Sequence, residues 1–325
     1  AYFQTIAVDR LALVMEMEAD RMTNLLITNK EVDPERLVVL EERRARVDNS
    51  PGAILSEHTN SALFLSHPYR NPVIGWEHDI KTLNIDRILA FYKKWYIPNN
   101  ALLVVSGDTT PKKIKPLAEK YYGKIPAGPT VTRKRAKEPP QRAARRVVLH
   151  DKRVRQPAWR QTFVAPSLQW GKSTDVYPLE VLSNILGGGE SSRLYRRLVV
   201  NAKIAVSSGA YYSGDHRGPG RFVLYASPRG DTSLDGLENS IAAEIADIIK
   251  NGVTREEIRE AKERMAAEAI YARDSLSGGA RILGAALASG LTVEDIESWP
   301  ERIAAITQEE IQSAAKALFN NKNSV

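Results

Sequence analysis

The stretch NIDRILAFYKKWYIPNNAL, residues 84–102, decides the fold because it is repeated at the far end of the chain as TQEEIQSAAKALFNNKNSV, residues 307–325. The two copies align at one offset of 223 positions, which joins three pairs: Ile88 with Ile311, Tyr96 with Phe319, and Asn100 with Asn323. Each copy has the apolar spacing of an amphipathic helix that runs towards a strand. An internal repeat of this length predicts two homologous lobes.

Helix starts and turns elsewhere support the repeat. Asp33 before Pro34 predicts one helix start, and Thr254 with Glu257 predicts another with a capping box, 221 positions later. The turns that follow, at Asp48 and at Asp274, are 226 positions apart. A few single-residue insertions account for these differences in offset.

The repeat also predicts segments that this sequence does not contain. A strand pattern at Val147 marks the start of the second lobe, and the corresponding start of the first lobe lies roughly 76 residues before Ala1. The second copy stops at Val325, before the strand that follows the first copy at residues 101–105. We therefore expect both lobes to be incomplete.

The positive charge is concentrated between the lobes. Residues 133–155 hold ten Lys and Arg against two acidic residues, which gives this stretch a net charge of +8. Because the whole chain has a net charge of +7, the remaining residues together carry 7 − 8 = −1 and are close to neutral. Its prolines are typical of a solvated connector. We predict a first lobe over 1–125, a basic Pro-containing linker over 126–146 and a second lobe over 147–325. A nucleic-acid site in the linker is the alternative, but no aromatic residue lies between Tyr122 and Trp159, so no nucleic-acid partner is predicted.

Composition narrows the classes of site. No apolar run reaches the ~18 residues that a membrane helix needs, so no membrane partner is expected. The chain has no cysteine, which excludes disulfides, thiolate metal sites and a cysteine nucleophile. Any metal would be bound by His, Asp or Glu.

The order of elements predicts an α+β fold of two homologous lobes, each a mainly antiparallel sheet with helices packed on one face. Strands are expected at residues 2–7, 101–107, 147–150, 159–165, 204–212 and 221–227. Helices are expected at residues 9–27, 34–47, 84–96, 111–122, 175–186, 191–200, 234–250, 255–272, 277–289, 293–305 and 308–319.

One predicted helix carries two acids beside an apolar stripe. Glu35 and Glu42 are seven residues apart, nearly two turns, and therefore share a face with Val38 and Val39. A metal-binding carboxylate would lie at the buried edge of such a face. The simpler interpretation is a charged helix with i,i+4 pairs to arginine, and the pattern alone favours this interpretation.

Four stretches together resemble a known family. They are ERLVVLEE (35–42) followed by Arg43 and Asp48-Asn49, HPYRNPVIGW (67–76), FYKKWYIPNNALLVVSGD (91–108) and LGGGESSRLYRRL (186–198). In this order, over nearly the whole chain, they are similar to the pitrilysin/insulinase-type zinc metallopeptidases, the inverzincins, and to their bacterial processing-peptidase-like branch.

The resemblance implies a Zn²⁺ cofactor held by an inverted H-x-x-E-H helix and by a distant glutamate. Glu42 matches the distant metal ligand, and Glu35 matches an acidic residue that supports the site from behind the ligands. None of the five histidines lies in an H-x-x-E-H motif. We therefore expect that motif, with its general-base glutamate, upstream of Ala1, and predict that residues 1–325 alone are inactive.

The resemblance also implies a partner. A second half of the enzyme commonly supplies an arginine and a tyrosine that bind the substrate, but the matching positions here are Val199 and Val206. We expect a hetero-oligomer with a related subunit that supplies the pair, a homo-oligomer being possible, around a chamber in which peptides or small unfolded polypeptides are hydrolysed. A non-catalytic scaffold or substrate-holding subunit of the same fold is the alternative.

Two other kinds of site are not supported. Gly187-Gly188-Gly189 lacks the G-x-G-x-x-G and Gly-Lys-Ser/Thr patterns of phosphate loops. No G-x-S-x-G elbow indicates a Ser-His-Asp hydrolase. These patterns do not determine the compartment in which the protein is found. Of the two compartments considered, we favour the bacterial periplasm over the cytoplasm.

Overall fold

The computed structural model describes all residues from 1 to 325 and confirms the α+β class. The helices are α1 Leu11–Thr23, α2 Asn29–Arg43, α3 Pro51–Leu63, α4 Glu77–Lys81, α5 Ile85–Trp95, α6 Pro111–Tyr121, α7 Val176–Gly187, α8 Leu234–Asn251, α9 Arg255–Tyr271, α10 Gly278–Ser289, α11 Val293–Glu297, α12 Trp299–Ala305 and α13 Gln308–Leu318. The strands are β1 Trp159–Ala165, β2 Ala205–Ser213 and β3 Gly220–Pro228. Two short π-helical segments cover Arg44–Asp48 and Tyr195–Asn201. None of the helices combines the length and the apolar character needed to cross a bilayer.

The three strands form one antiparallel sheet in the order β1-β3-β2. Phe163 of β1 lies opposite Phe222 of β3, and both side chains are buried. Val325 extends the sheet beyond β1, since its N–H donates to the Thr162 carbonyl at 3.0 Å and its carbonyl accepts from the Thr162 N–H at 2.9 Å. The end of the second repeat therefore begins to pair as a fourth strand.

The chain divides into two compact units whose segments interleave along the sequence. Unit 1 comprises Ala1–Asn49, Pro72–Lys134 and Ser275–Ala285, and unit 2 comprises Ser50–Asn71, Arg135–Asp274 and Ala286–Val325. Unit 2 contains the whole sheet and its main apolar core, where α7 and α13 pack with the strands. In unit 1, α1 packs against α6 and α2 against α4.

Helix bounds support the repeat. The bounds of α5 and α13 differ by 223 positions at both ends, and each helix is followed by a short 3-10 turn, Pro98–Asn100 and Asn321–Asn323, at the same offset. The caps correspond as well, because the side chain of Asn84 accepts the Arg87 N–H and that of Thr307 accepts the Glu310 N–H. Equivalent local sequence has produced equivalent local structure. The predicted domain limits, 1–125, 126–146 and 147–325, stay a prediction.

Three predicted strands are wrong. Residues 2–7, 101–107 and 147–150 form no strand, whereas the predictions at 159–165, 204–212 and 221–227 are correct to within one residue. A strand exists only where another strand accepts and donates its backbone hydrogen bonds. Within residues 1–325 nothing pairs with these three segments.

The predicted start of α2 is also wrong. Thr28, rather than Asp33, caps the helix, and Glu31 completes a capping box with it. Pro34 therefore lies inside the helix. The capping box prevails because it satisfies backbone donors at both Thr28 and Lys30. With this start, the capping boxes at Thr28 and Thr254 are 226 positions apart, the same offset as the two following turns.

Candidate functional site

Helix α2 places Glu35 and Glu42 on one edge. Seven residues rotate a helix by about 700°, so the two acids lie within about 20° of each other. Glu35 is exposed and the Glu42 side chain is 39% exposed. Between them, Val38 is 57% exposed and Val39 is half-buried. The predicted stripe of two acids and two valines therefore exists as an open surface of the helix.

The Glu42 carboxylate has an arginine partner. Its Oε1 lies 2.8 Å from Nη1 of Arg46, which belongs to the π-helical segment after α2. This is the i,i+4 contact of the simpler interpretation. Because Arg46 is 74% exposed, such a pair contributes only about 0.2–1 kcal/mol. A stronger cation could therefore displace Arg46 at small cost.

Two arginines, each about 100° round the helix from the neighbouring acid, hold α2 in place. Arg36 donates to the Leu83 carbonyl at 2.9 Å and pairs with Asp33 at 3.0 Å. Arg43 is buried and donates to the Gly75 carbonyl at 2.8 Å. Each arginine directly follows one of the acids, Glu35 or Glu42. The helix is thus attached at two points seven residues apart, and both acids project from an anchored backbone.

Residues 1–325 do not by themselves fit a zinc ion. A protein zinc site needs about four ligands, of which at most one is water in most catalytic sites. No three His, Asp or Glu side chains of this chain are grouped so that they could hold a metal. Glu42 is thus one carboxylate without companions here, and its role and that of Glu35 stay a prediction.

Two of the histidines have structural contacts. His67 is buried and its Nδ1 accepts the Tyr69 N–H at 3.3 Å, which caps the 3-10 turn at Pro68–Arg70. Nε2 of His216 lies 2.8 Å from Oγ of Ser213. Burial lowers the pKa of both imidazoles. Neither residue lies in unit 1, where Glu42 is found.

Residues 182–186 of α7, just before the glycine run, are part of the core of unit 2. Leu182, Ile185 and Leu186 are buried in α7 and belong to the apolar cluster of unit 2. Arg264 of α9 donates to Oδ1 of Asn184 in α7 at 2.8 Å and joins the two helices. This segment is therefore packed as part of the apolar core of unit 2.

Val199 and Val206, which stand where the resemblance implies a substrate-binding arginine and tyrosine, differ in their exposure. Val199 is buried in the π-helical segment, and Val206 is 45% exposed on β2. Neither side chain can donate a hydrogen bond. Unit 2 thus offers no oxyanion-binding group at these positions.

Gly187 serves close packing. A Cβ at this position would lie 1.9 Å from the backbone nitrogen of Ala210 on β2. The end of α7 thus approaches the β2 backbone more closely than any side chain permits. This contact explains the first glycine of the run without a bound phosphate.

A buried ion pair was missed by the sequence analysis. Arg193 is buried, with Nε 2.6 Å from Oε1 and Nη2 2.7 Å from Oε2 of Glu257, and Nη1 3.2 Å from Asp247. Glu257 also accepts the Thr254 N–H in the predicted capping box. Its dual role could not be recognised from the cap pattern, since Arg193 lies 64 positions away.

Glu180 in α7 makes the stability of unit 2 depend on pH. Its Oε2 accepts the Trp299 indole N–H at 2.7 Å. Burial raises the pKa of Glu180 to about 7, the hydrogen bond from Trp299 opposes this rise, and the charge of Asp215 adds to it. Because the folded pKa exceeds the unfolded value of 4.5, the stabilisation is complete below pH 4.5 and is lost as the pH rises towards 7.

We expect the Glu180→Gln variant to lack the loss of stability that the wild type shows as the pH rises towards 7. Between pH 5 and 8 the free energy of unfolding of the wild type should fall by about 2–3 kcal/mol relative to the variant. Urea unfolding of both proteins at the two pH values measures the difference. Comparison with the variant cancels the opposite contribution of His67 and His216, whose lowered pKa values favour folding as the pH rises. Parallel pH profiles would contradict the assignment.

Comparison with known proteins gives a consistent result. The family model described as "Peptidase M16 inactive domain" matches residues 82–265, more than half of the chain. The zinc protease PqqE of Helicobacter pylori is 30% identical over 281 residues, which cover 85% of this chain and 62% of that protein. This chain therefore spans less than two thirds of that relative's length.

Solved structures show the same fold. A protease from Helicobacter pylori superposes with a TM-score of 0.90 at 26% identity, covering 98% of this chain and 76% of that one. The periplasmic protease PqqL from Escherichia coli superposes with a TM-score of 0.79 at 19% identity, covering 99% of this chain and 36% of that one. From the family match, supported by these likenesses, the chain belongs to the peptidase M16 family of pitrilysin-like zinc metallopeptidases.

Proposed function

We propose that this chain is the larger part of the metal-site-bearing subunit of a zinc-dependent endopeptidase, in which Glu42 is a zinc ligand and Glu35 supports it. The supporting observation is the open edge of α2, where both acids flank Val38 on a helix that Arg36 and Arg43 anchor. A helix without such a role has no evident reason to keep two acids and an exposed valine on one edge.

The remaining ligands and the general base would come from an H-x-x-E-H segment outside residues 1–325. Residues 1–325 would then supply one carboxylate, its anchored helix and the second lobe. On its own, the chain 1–325 should bind zinc weakly and show no peptidase activity, because one carboxylate is too few ligands.

The proposed substrates are peptides or small unfolded polypeptides, enclosed between this subunit and a related partner. Support comes from Val199 and Val206, which leave the chain without a substrate-binding pair of its own. It also comes from PqqL, in which this fold covers only 36% of a longer chain. A periplasmic location is proposed because that protein is described as periplasmic.

A non-catalytic scaffold subunit is the second candidate. Two observations favour it: the matched family model is described as an inactive domain, and Arg46 already neutralises Glu42. The anchoring of both acids favours the peptidase. Metal analysis separates the two.

The decisive experiment is zinc analysis of the full-length protein and its Glu42→Gln variant. We expect close to one zinc per subunit in the wild type and a large loss of zinc and of peptidase activity in the variant. Glu41→Gln is the matched control, since Glu41 is adjacent but pairs with Arg44 on a different side of α2. Full zinc in Glu42→Gln, or none in the wild type, would contradict the proposal.

A further inference from the structure

Part of the predicted linker is attached to unit 2. We call residues 135–146 the strap. Glu138 of the strap is buried, and its carboxylate accepts three consecutive backbone N–H groups, from Leu65 at 2.7 Å, Ser66 at 3.1 Å and His67 at 2.8 Å. Consecutive N–H groups that converge in this way form a favourable site for an anion. The strap therefore has one strong anchor at Glu138.

The strap is attached again at the end of α3. Gln141 donates to the Leu63 carbonyl at 2.7 Å and to Glu138 at 2.9 Å. Arg145 donates to the carbonyls of Ala62 and Leu63. These carbonyls end the helix, where a cation is favourable. Three side chains over eight residues thus fix the course of the strap.

The attachment leaves three basic side chains of the strap exposed, while Arg146 at its end pairs with Glu238 of α8. Glu138 is the one carboxylate between 135 and 146, and it points inward. Arg135, Lys137 and Arg142 are exposed, and no hydrogen bond or ion pair holds their side chains. A run of cations usually marks a flexible, solvated segment, whereas these three are carried by an anchored backbone.

We propose that the strap is a docking surface for an acidic, extended segment of polypeptide. Binding to an anchored backbone avoids the entropy cost of ordering a flexible tail. The strap contains no aromatic side chain for stacking on nucleic-acid bases and no large apolar side chain for insertion into a lipid layer. The surface lies within unit 2, requires neither Glu42 nor a metal, and so goes beyond the proposed function.

The test uses a dye-labelled 12-residue peptide of alternating Glu and Ser, with fluorescence anisotropy at low and at physiological salt. The triple variant Arg135→Gln/Lys137→Gln/Arg142→Gln should weaken binding roughly tenfold, since three partly exposed ion pairs are lost. The matched control is Lys112→Gln/Lys113→Gln/Lys115→Gln, which removes the same charge from exposed positions of α6. The control should change the affinity less than twofold, and equal weakening in both triple variants would overturn the proposal.

Glu138→Ala separates an anchored surface from simple charge attraction. The variant makes the strap more basic, so charge alone predicts tighter binding of the acidic peptide. An anchored surface predicts weaker binding, by roughly threefold or more, because the released strap must be ordered again. Faster trypsin cleavage after Arg142 reports the release itself. Tighter binding by a released strap would overturn the proposal.

Two further ligands test the class of partner. A Gln-Ser peptide of the same length should not bind. A single-stranded oligonucleotide and phosphatidylserine vesicles, at matched charge concentration, should bind at least severalfold more weakly than the Glu-Ser peptide. Equal or tighter binding of either would overturn the assignment to an acidic polypeptide.

Discussion

Gly187→Ala is expected to lower the free energy of unfolding of unit 2 by at least about 3 kcal/mol. The added Cβ would lie 1.9 Å from the nitrogen and 2.3 Å from the carbonyl oxygen of Ala210. Both atoms belong to the backbone of β2, which is fixed by its pairing with β3. Neither a rotamer change nor a small shift relieves such a clash, so α7 must move away from the sheet. Urea unfolding monitored by circular dichroism measures the loss.

Gly279→Ala is the control. Gly279 lies in α10, and a Cβ there would meet no atom within 4 Å. Alanine in a helix is more favourable than glycine by up to about 1 kcal/mol, so this variant should be neutral or slightly more stable. A Gly187→Ala protein as stable as Gly279→Ala would contradict the close contact between α7 and the β2 backbone.

Arg193→Met is expected to destabilise unit 2 by about 3–5 kcal/mol. Burial would raise the pKa of Glu257, but the hydrogen bonds from Arg193 and from Thr254 outweigh it and hold the pKa below its usual range. Without Arg193, the carboxylate of Glu257 is left half-buried and without its cation. Equilibrium unfolding at pH 7 measures the effect.

Two variants sharpen this test. Arg259 also pairs with two acids, Glu256 and Glu263, but on an exposed helix surface, so Arg259→Met should destabilise the protein far less than Arg193→Met. The double variant Arg193→Met/Glu257→Met should recover much of the loss, since an apolar pair can replace a buried ion pair. If the Arg193 and Arg259 variants lose equal stability, the energetic role given to burial is wrong.

The sequence allowed correct prediction of features that depend on neighbouring residues. The capping box of Thr254 and Glu257 and the helices of the 223-residue repeat form as expected. The shared edge of Glu35 and Glu42 also follows from helical periodicity alone. The error at Asp33 has the same origin, because two local caps competed and the pattern did not show which was stronger.

The contacts of the strap could not be predicted from neighbouring residues. Its composition predicted a solvated connector, and that prediction did not show the contacts between Glu138 and residues 65–67, more than 70 positions away. The failed strands at 2–7 and 101–107 belong to the same class of error, since a strand is defined by its partner. Pattern can identify an extended apolar segment without showing whether anything pairs with it.

Local pattern thus predicted the α+β class, the repeat and the edge shared by Glu35 and Glu42, because caps, turns and helix faces depend on residues within about two helical turns. The role of Glu42 as a metal ligand comes from the family resemblance and stays a prediction. Long-range packing set the rest. It assigned α3 to unit 2 and most of α10 to unit 1, although the repeat relates these two helices. It buried Arg193 against Glu257 and Gly187 against Ala210. These contacts join residues from distant parts of the chain, and no local pattern records which distant surfaces meet when the chain folds.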